Sequence, residues 1–309
     1  MRNLRFIGGT GLSATALSWA NLTFAANKNG PTDGGLGMQR AVTPVMESIV
    51  SFNNVWLVPI MIGIVLFVLV LMVFIMFRFR EKANPTPSKT THNTMLEVVW
   101  TIVPVIILMA IAVPSIKLLY YQDVIPKADL VVKVTGDTWR WEYSYPDYEN
   151  VDTIISNIVD IPVEEKQGLT HAQIIKKIEA RPADEPRLNG RPYLLATDAP
   201  LVVPVDTTIK VIVTSNNNIH SFAVPQFGIK IDAVPGRLNE TWFKVNKGEE
   251  GQTFYGQCSE ICGINHSFMP IEVKVVSKDE FRRWIANGGS FGTQVSQNTQ
   301  GAVKTVAAK

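Results

Sequence analysis

Residues 55–77 read VWLVPIMIGIVLFVLVLMVFIMF, 23 residues without a charge. A helix needs about 20 apolar residues to cross the ~30 Å hydrocarbon core of a bilayer. A second uncharged run follows at residues 98–116, VVWTIVPVIILMAIAVPSI. A pair of buried core helices is the alternative, but core helices rarely stay uncharged for so long. Pro59, Pro104 and Pro114 are no obstacle, because neighbouring groups in a membrane satisfy the carbonyls that proline frees. The runs therefore predict a transmembrane hairpin, with helices over residues 55–77 and 95–118.

Working outward, the link at residues 78–94 carries Arg78, Arg80, Lys82 and Lys89 against one acid, Glu81. Positive charge in a short loop marks the cytoplasmic side. Both flanking segments then lie outside, with Trp56, Tyr120 and Tyr121 near the outer ends as interfacial aromatics. Residues 1–26 open with two arginines and continue through a moderately apolar stretch to Ala25 and Ala26, the pattern of a secretory signal. Residues 27–54 form an exported N-terminal segment, and the Gly- and Asn-rich portion at 27–45 reads as an exposed linker.

Composition agrees with an anchored, exported chain. Of 309 residues, 46% are hydrophobic and only 18% charged, with mean hydropathy +0.12; soluble domains carry about 25% charged residues. A net charge of +2 supplies no field for nucleic acid. Two cysteines are too few for a disulfide scaffold or a four-cysteine zinc site.

Residues 127–287 read as one mostly β domain outside the membrane. Strand signals recur at 130–135, 139–145, 207–214, 240–245, 252–257 and 271–276, between Gly and Pro turns, and argue for a sandwich or small barrel. Thr170 with Gln173 and Ser277 with Glu280 look like capping boxes that open helices over 170–180 and 277–286. Residues 288–309, rich in Gly, Gln, Ser and Ala, read as a disordered tail.

The chemistry is concentrated in residues 258–270, CSEICGINHSFMP. Both cysteines of the chain, Cys258 and Cys262, stand here, followed by His266 and Met269, and His220 lies upstream after Asn216-Asn217-Asn218-Ile219. An exported pair at this spacing could form a disulfide. Two cysteines and two histidines could hold zinc, although zinc leaves Met269 without a role. Thiolate, thioether and imidazole together select copper; one thiolate suffices for a mononuclear site, and two could bridge a pair of ions.

At this point the residues become recognisable. GQCSEICGINHSFMP (256–270) strongly resembles the copper A loop of the cytochrome c oxidase subunit II family. IHSFAVPQFGIKIDAVPGRLNET (219–241), GDTWRWEY (136–143) and the second apolar run resemble other parts of the same family. The resemblance covers roughly residues 45–287. It implies a cupredoxin-like domain in which Cys258 and Cys262 bridge two coppers. His220 and Met269 complete one copper; His266 and the Glu260 carbonyl complete the other. The Glu260 side chain is implied as a ligand of magnesium or manganese at the contact with subunit I, a hard oxygen for a hard ion.

The resemblance also implies roles further afield. Trp139 matches the tryptophan at which electrons enter, although a core aromatic sharing a strand face with Trp141 is the alternative. Asp147, Glu149 and Asp198 stand where the family keeps carboxylates that dock cytochrome c. Glu97, at the cytoplasmic end of the second helix, matches an acid at the mouth of a proton pathway; an acid simply facing headgroups is the alternative. The implied partners are cytochrome c, the haem-bearing subunit I, subunit III and membrane lipid. The implied location is a bacterial inner membrane, with both termini and the copper domain periplasmic. Two departures stand out. The family's acidic pair before the upstream histidine is Asn216 and Asn217 here, and Arg140 replaces a common aromatic. Residues 151–192 form an insert longer than in compact members. A quinol-oxidase subunit lacks the copper ligands, and a pure assembly module would carry a Cys258–Cys262 disulfide.

Overall fold

A computed structural model describes residues 29–32, 34–86 and 88–291. The leader read at 1–26 and residues 292–309 of the tail lie outside the described residues. The first long helix starts well before the uncharged run. It comprises α1 (Pro44–Phe52), a π-helical turn at Asn53–Leu57 and α2 (Val58–Arg78), 35 residues in all. The second, α3 (Thr94–Asp123), has 30 residues, about 45 Å at ~1.5 Å per residue, and so projects beyond a ~30 Å apolar core. No residue of α2 or α3 is buried within the chain, so their apolar side chains are left for lipid or other subunits.

Part of the stretch expected to be an exposed linker is instead docked on the β domain. Val45 and Met46 are buried and Ile49 half-buried on one face of α1, and Val42, just before the cap, is buried on the same domain. Thr43 caps the helix by accepting from the Met46 amide at 3.1 Å while its hydroxyl donates to the Phe227 carbonyl at 2.7 Å. Beneath it Gly228 sits at φ +73°, and a Cβ there would meet Ile49 Cδ1 at 2.8 Å. Only glycine lets α1 come down onto this turn.

The β domain has ten strands: β1 (Leu130–Asp137), β2 (Arg140–Ser144), β3 (Ile154–Ser156), β4 (Leu201–Pro204), β5 (Ile209–Ser215), β6 (His220–Val224), β7 (Ile229–Ala233), β8 (Asn239–Phe243), β9 (Thr253–Cys258) and β10 (Pro270–Val276). They form two five-stranded sheets, ordered β3-β2-β1-β5-β8 and β4-β10-β9-β6-β7. Each sheet is antiparallel except for one parallel pair, β1 with β5 and β4 with β10. Alternate residues such as Val132, Val134, Val211 and Val213 point into a core completed by Phe222, Phe227, Phe243 and Phe254. Trp141, Tyr143 and Tyr145 line the inner face of β2 and its exit. Trp139 does not share that face: it lies in the turn before β2 and is half-buried. Helix α6 (Lys278–Ala286) packs Phe281, Trp284 and Ile285 on this core, and its cap Ser277 accepts from the Glu280 amide at 3.1 Å.

The insert is a small folded unit. It contains α4 (Val163–Lys166) and α5 (His171–Glu179), the latter opened by a complete Thr170–Gln173 capping box. Val159, Ile161, Ile174, Ile178, Leu188 and Ala196 make its own core. Arg191 fastens it to the sandwich. One guanidinium nitrogen reaches both carboxylate oxygens of buried Glu272 on β10, at 3.0 and 2.9 Å, and the Thr197 amide donates to the same carboxylate at 2.6 Å. Removing one member of a buried ion pair strands the other charge at a cost of about 3–5 kcal/mol. Arg191→Met is therefore expected to lower stability by about that amount, and Arg191→Met with Glu272→Met to recover most of it. Thermal and denaturant unfolding measure both; an Arg191→Met protein as stable as the parent would show that the pair does not fasten the insert.

Candidate metal centre

The site is built from one loop and one strand end. β9 stops at Cys258 and β10 starts at Pro270. The Cys258 amide donates to the Met269 carbonyl at 3.0 Å, closing the loop between them. The two cysteines are free, with sulfurs 3.8 Å apart. A disulfide needs about 2.05 Å, so the sulfurs are neighbours without being bonded. β6 pairs with β9 through Phe222 opposite Cys258, which sets His220 beside the loop. His220 Nδ1 lies 3.8 Å from Cys258 Sγ, and His266 Nδ1 lies 3.6 Å from Cys262 Sγ. The Glu260 carbonyl is 3.4 Å from Cys258 Sγ, and Met269 is buried at the foot of the loop. The ligand atoms of His220, Cys258 and Cys262 all fall within 4.8 Å of one another, close enough to hold one metal ion.

The surroundings favour soft-metal binding. Burial holds the His220 imidazole below its ordinary pKa; Asp137 opposes this and His266 reinforces it, and the neutral ring is the ligand form. Burial, with the Cys258 thiolate beside it, pushes the Cys262 thiol up. A thiol that is costly to ionise alone gives up its proton to a bound cation. Buried thiol, thioether and imidazole donors fit copper, whereas the exposed Glu260 carboxylate is the one acidic side chain in the loop.

A second layer fixes these donors. His220 Nε2 donates to Asn217 Oδ1 at 3.0 Å, and the Asn217 amide group donates to Asp137 and to Thr138 Oγ1. Asn218 Nδ2 and the Trp139 indole both donate to the Cys262 carbonyl, at 2.9 and 3.1 Å. Gly136 closes the back of the site: a Cβ there would meet His220 Cδ2 at 2.8 Å. The sequence reading quoted Gly136 within a motif without giving it a role, and it noted Asn217 only as a missing acid. The run of three asparagines before His220 was the available signal.

The residues expected to act at a distance from the copper loop are dispersed. Asp198 accepts from the Asn157 amide at 2.7 Å, where the insert leaves the sandwich. Asp147 accepts from the Val131 amide at 3.3 Å, at the opposite end of β1 from Trp139, roughly 20 Å away at ~3.3 Å per residue. Glu149 is exposed just beyond Asp147. Glu97 lies half-exposed in the first turn of α3, at the far end of that helix from the sandwich.

Fold and site together define a membrane-anchored protein with a cupredoxin-like domain and a soft-donor metal site. Residues 31–118 match the sequence model of the cytochrome c oxidase subunit II transmembrane domain, and residues 130–276 match that of the periplasmic domain. The cytochrome c oxidase subunit 2 of Cereibacter sphaeroides is 41% identical over 286 residues, covering 92% of this chain and 91% of the relative. "Probable cytochrome c oxidase subunit 2" of Rickettsia prowazekii (strain Madrid E) is 44% identical over 248 residues, covering 80% of this chain and 70% of the relative. Among solved structures, the periplasmic domain of subunit II of cytochrome oxidase from Bradyrhizobium japonicum is 41% identical. It covers 53% of this chain and 96% of that one, with a TM-score of 0.41. The chain belongs to the cytochrome c oxidase subunit II family.

Loss of an outer partner of a metal-bound histidine typically weakens metal binding by about 10–100-fold. Asn217→Leu is expected to do so here, because His220 Nε2 loses its acceptor. Competitive copper titration reads the effect, and an unchanged affinity would remove Asn217 from the site.

Proposed function

We propose that this chain accepts electrons from cytochrome c at a dinuclear copper A centre and passes them to haem in subunit I, where oxygen is reduced to water with proton pumping. The observation that carries this reading is the convergence of two unbonded thiols, two imidazole Nδ1 atoms and a buried thioether around one loop. Cys258, Cys262, His220, His266, Met269 and the Glu260 carbonyl would hold the two coppers. A thiolate-bridged copper pair, when bound, takes up and gives up one electron shared over both ions, with little rearrangement.

The chain's residues supply the remaining requirements. Trp139 presents a half-buried indole to a donor and is tied directly to the Cys262 carbonyl, a short through-bond route to a ligand. Burial of Cys258, Cys262 and Met269 keeps bulk water off the sulfurs. The Glu260 carboxylate faces out of the domain and would take magnesium or manganese where subunit I docks. Asp147, Glu149 and Asp198 would steer cytochrome c, and Glu97 would receive protons at the cytoplasmic mouth of a path into subunit I. The positive link at residues 78–94 supports an orientation with the sandwich in the periplasm of a bacterial inner membrane, with subunit III also in the complex.

Purified oxidase is expected to contain two coppers in this subunit, with a paramagnetic spectrum of one electron shared by two nuclei. Cys258→Ser or His220→Asn should abolish both that spectrum and cytochrome c oxidation; wild-type turnover in either variant refutes the copper assignment. Trp139→Gln should leave copper content and spectrum intact while slowing cytochrome c oxidation severely. Equal slowing with loss of copper would make Trp139 a structural residue instead.

A further inference from the structure

The outer ends of the two long helices enclose a cleft of about 520 Å³ that the copper reading does not use. One wall is α1, with Glu47, Ser48 and Ser51; the other is α3, with Pro114, Lys117 and Tyr121. Phe52 and Trp56 close the end nearest the bilayer core. Depth can be read along the helix axes. Lys117 is the first charge after the uncharged run that ends at residue 116, and Trp56 sits one residue inside the start of the other run. Both therefore lie at the edge of the hydrocarbon. Glu47 stands nine residues above Trp56, about 13 Å further out at ~1.5 Å per residue. The headgroup layer on one side of a bilayer is about 5–8 Å thick, so the cleft spans it.

The polar groups are arranged in a definite order. Going outward from the apolar floor there is a cation, then two hydroxyls, then an acid. The cation and the acid do not pair with each other, and Lys117 makes no ion pair among the described residues. Glu47 is held by the Asn246 side-chain amide, which donates to Oε1 at 2.7 Å and leaves Oε2 for another donor. Tyr121 packs perpendicular to Trp242 of β8, with ring centroids 5.9 Å apart, and lines the cleft.

We propose that this cleft binds the headgroup of one zwitterionic, ammonium-bearing phospholipid from the leaflet facing the sandwich. Its phosphate lies at Lys117 with hydrogen bonds from Ser51. Its terminal ammonium lies further out, between the free Glu47 oxygen and the face of Tyr121. The acyl chains run down past Phe52, Trp56 and Pro114 onto the uncovered apolar surfaces of α2 and α3. Charge order selects the class: a single anionic headgroup satisfies Lys117 but leaves Glu47 facing a like charge. The inference depends on the membrane anchor alone and stands apart from the copper centre.

The test uses the assembled oxidase, exchanged into micelles containing equimolar palmitoyl-oleoyl phosphatidylethanolamine and phosphatidylglycerol, washed, and examined by native mass spectrometry. Wild type, Lys117→Gln and Glu47→Gln are compared at equal yields of assembled complex. Wild type is expected to retain one more phosphatidylethanolamine than either variant, with equal phosphatidylglycerol. Equal retention in all three overturns the site. Loss of phosphatidylglycerol instead overturns its zwitterionic selectivity, and a side chain of another subunit filling the cleft in the assembled oxidase overturns the lipid assignment.

Discussion

The metal site depends on one close approach between two strands. β6 and β9 share only two register pairs, Phe222 with Cys258 and Ala223 with Gln257. At that point the backbones touch: a Cβ on Gly256 would fall 2.0 Å from the Ala223 carbonyl oxygen. Any side chain at residue 256 would push the strands apart. Every other donor comes from the single loop between Cys258 and Met269, so their mutual placement is a local problem that the Cys258–Met269 hydrogen bond settles. His220 is the one non-local donor, and a slip of one residue in β6 would turn it to the other face of the sheet. Gly256 and Gly136 therefore act as a pair. The first lets the strands meet, and the second leaves room for the imidazole once they have.

The proposed transfer of electrons toward a partner in the membrane would require the site to be held at a fixed height above it. A flexible tether would not do that. α1 runs without a break into α2 through a π-helical turn, and its other end is bolted to the sandwich by Thr43, Val42, Val45 and Met46. α3 makes a second attachment where Tyr121 meets Trp242. The two attachments reach different sheets, one at the turn after β6 and the other at β8. The cleft between α1 and α3 is a by-product of this bracing: two helices that must diverge to grip two sheets leave a gap at the level of the headgroups.

The legibility of these features in the sequence follows from how local their causes are. The hairpin was plain because an uncharged run long enough to cross a bilayer has few other uses. The donor loop was plain because five donors sit within twelve residues. Four strands, β3, β4, β6 and β7, fall outside the expected strand ranges, and for β4 and β6 the reason is physical. β4 is buried along its whole length and so shows no alternation, and β6 opens on a buried histidine. α1 carried its signal in the spacing of Val45, Met46 and Ile49, but the Gly- and Asn-rich stretch before it read as linker to its end. The roles of Gly136 and Asn218 were illegible because each acts on a residue distant in sequence, His220 and Cys262, whereas Asn217 acts on His220 only three residues on and its signal was the asparagine run itself.

The charge pattern around Trp139 follows from the same neighbourhood. Arg140 pairs with Asp137 at 2.8 Å and reaches Glu142 at 3.5 Å, while Lys166 of the insert pairs with Asp160 and lies 4.9 Å from the Phe268 ring. Asn216 and Asn217 add no charge where the family keeps acids, and Asn217 is occupied in holding His220. The charges near this tryptophan are thus largely cancelled within the chain. What remains open is a cleft of about 550 Å³ lined by Trp139 from the turn before β2, Asn265 and Phe268 from the metal loop, and mostly by the insert, whose Ile158 and Val163 stand beside Asp160, Lys166 and Arg181. Surface pairs contribute little to affinity and are screened by salt, whereas apolar contact is not. Apolar contact at Trp139, Phe268, Ile158 and Val163 is therefore the part of this face least sensitive to salt. The insert then has a physical reason to be fastened by a buried ion pair: it forms most of the lining beside the indole, and the Arg191–Glu272 pair fixes that lining relative to the sandwich.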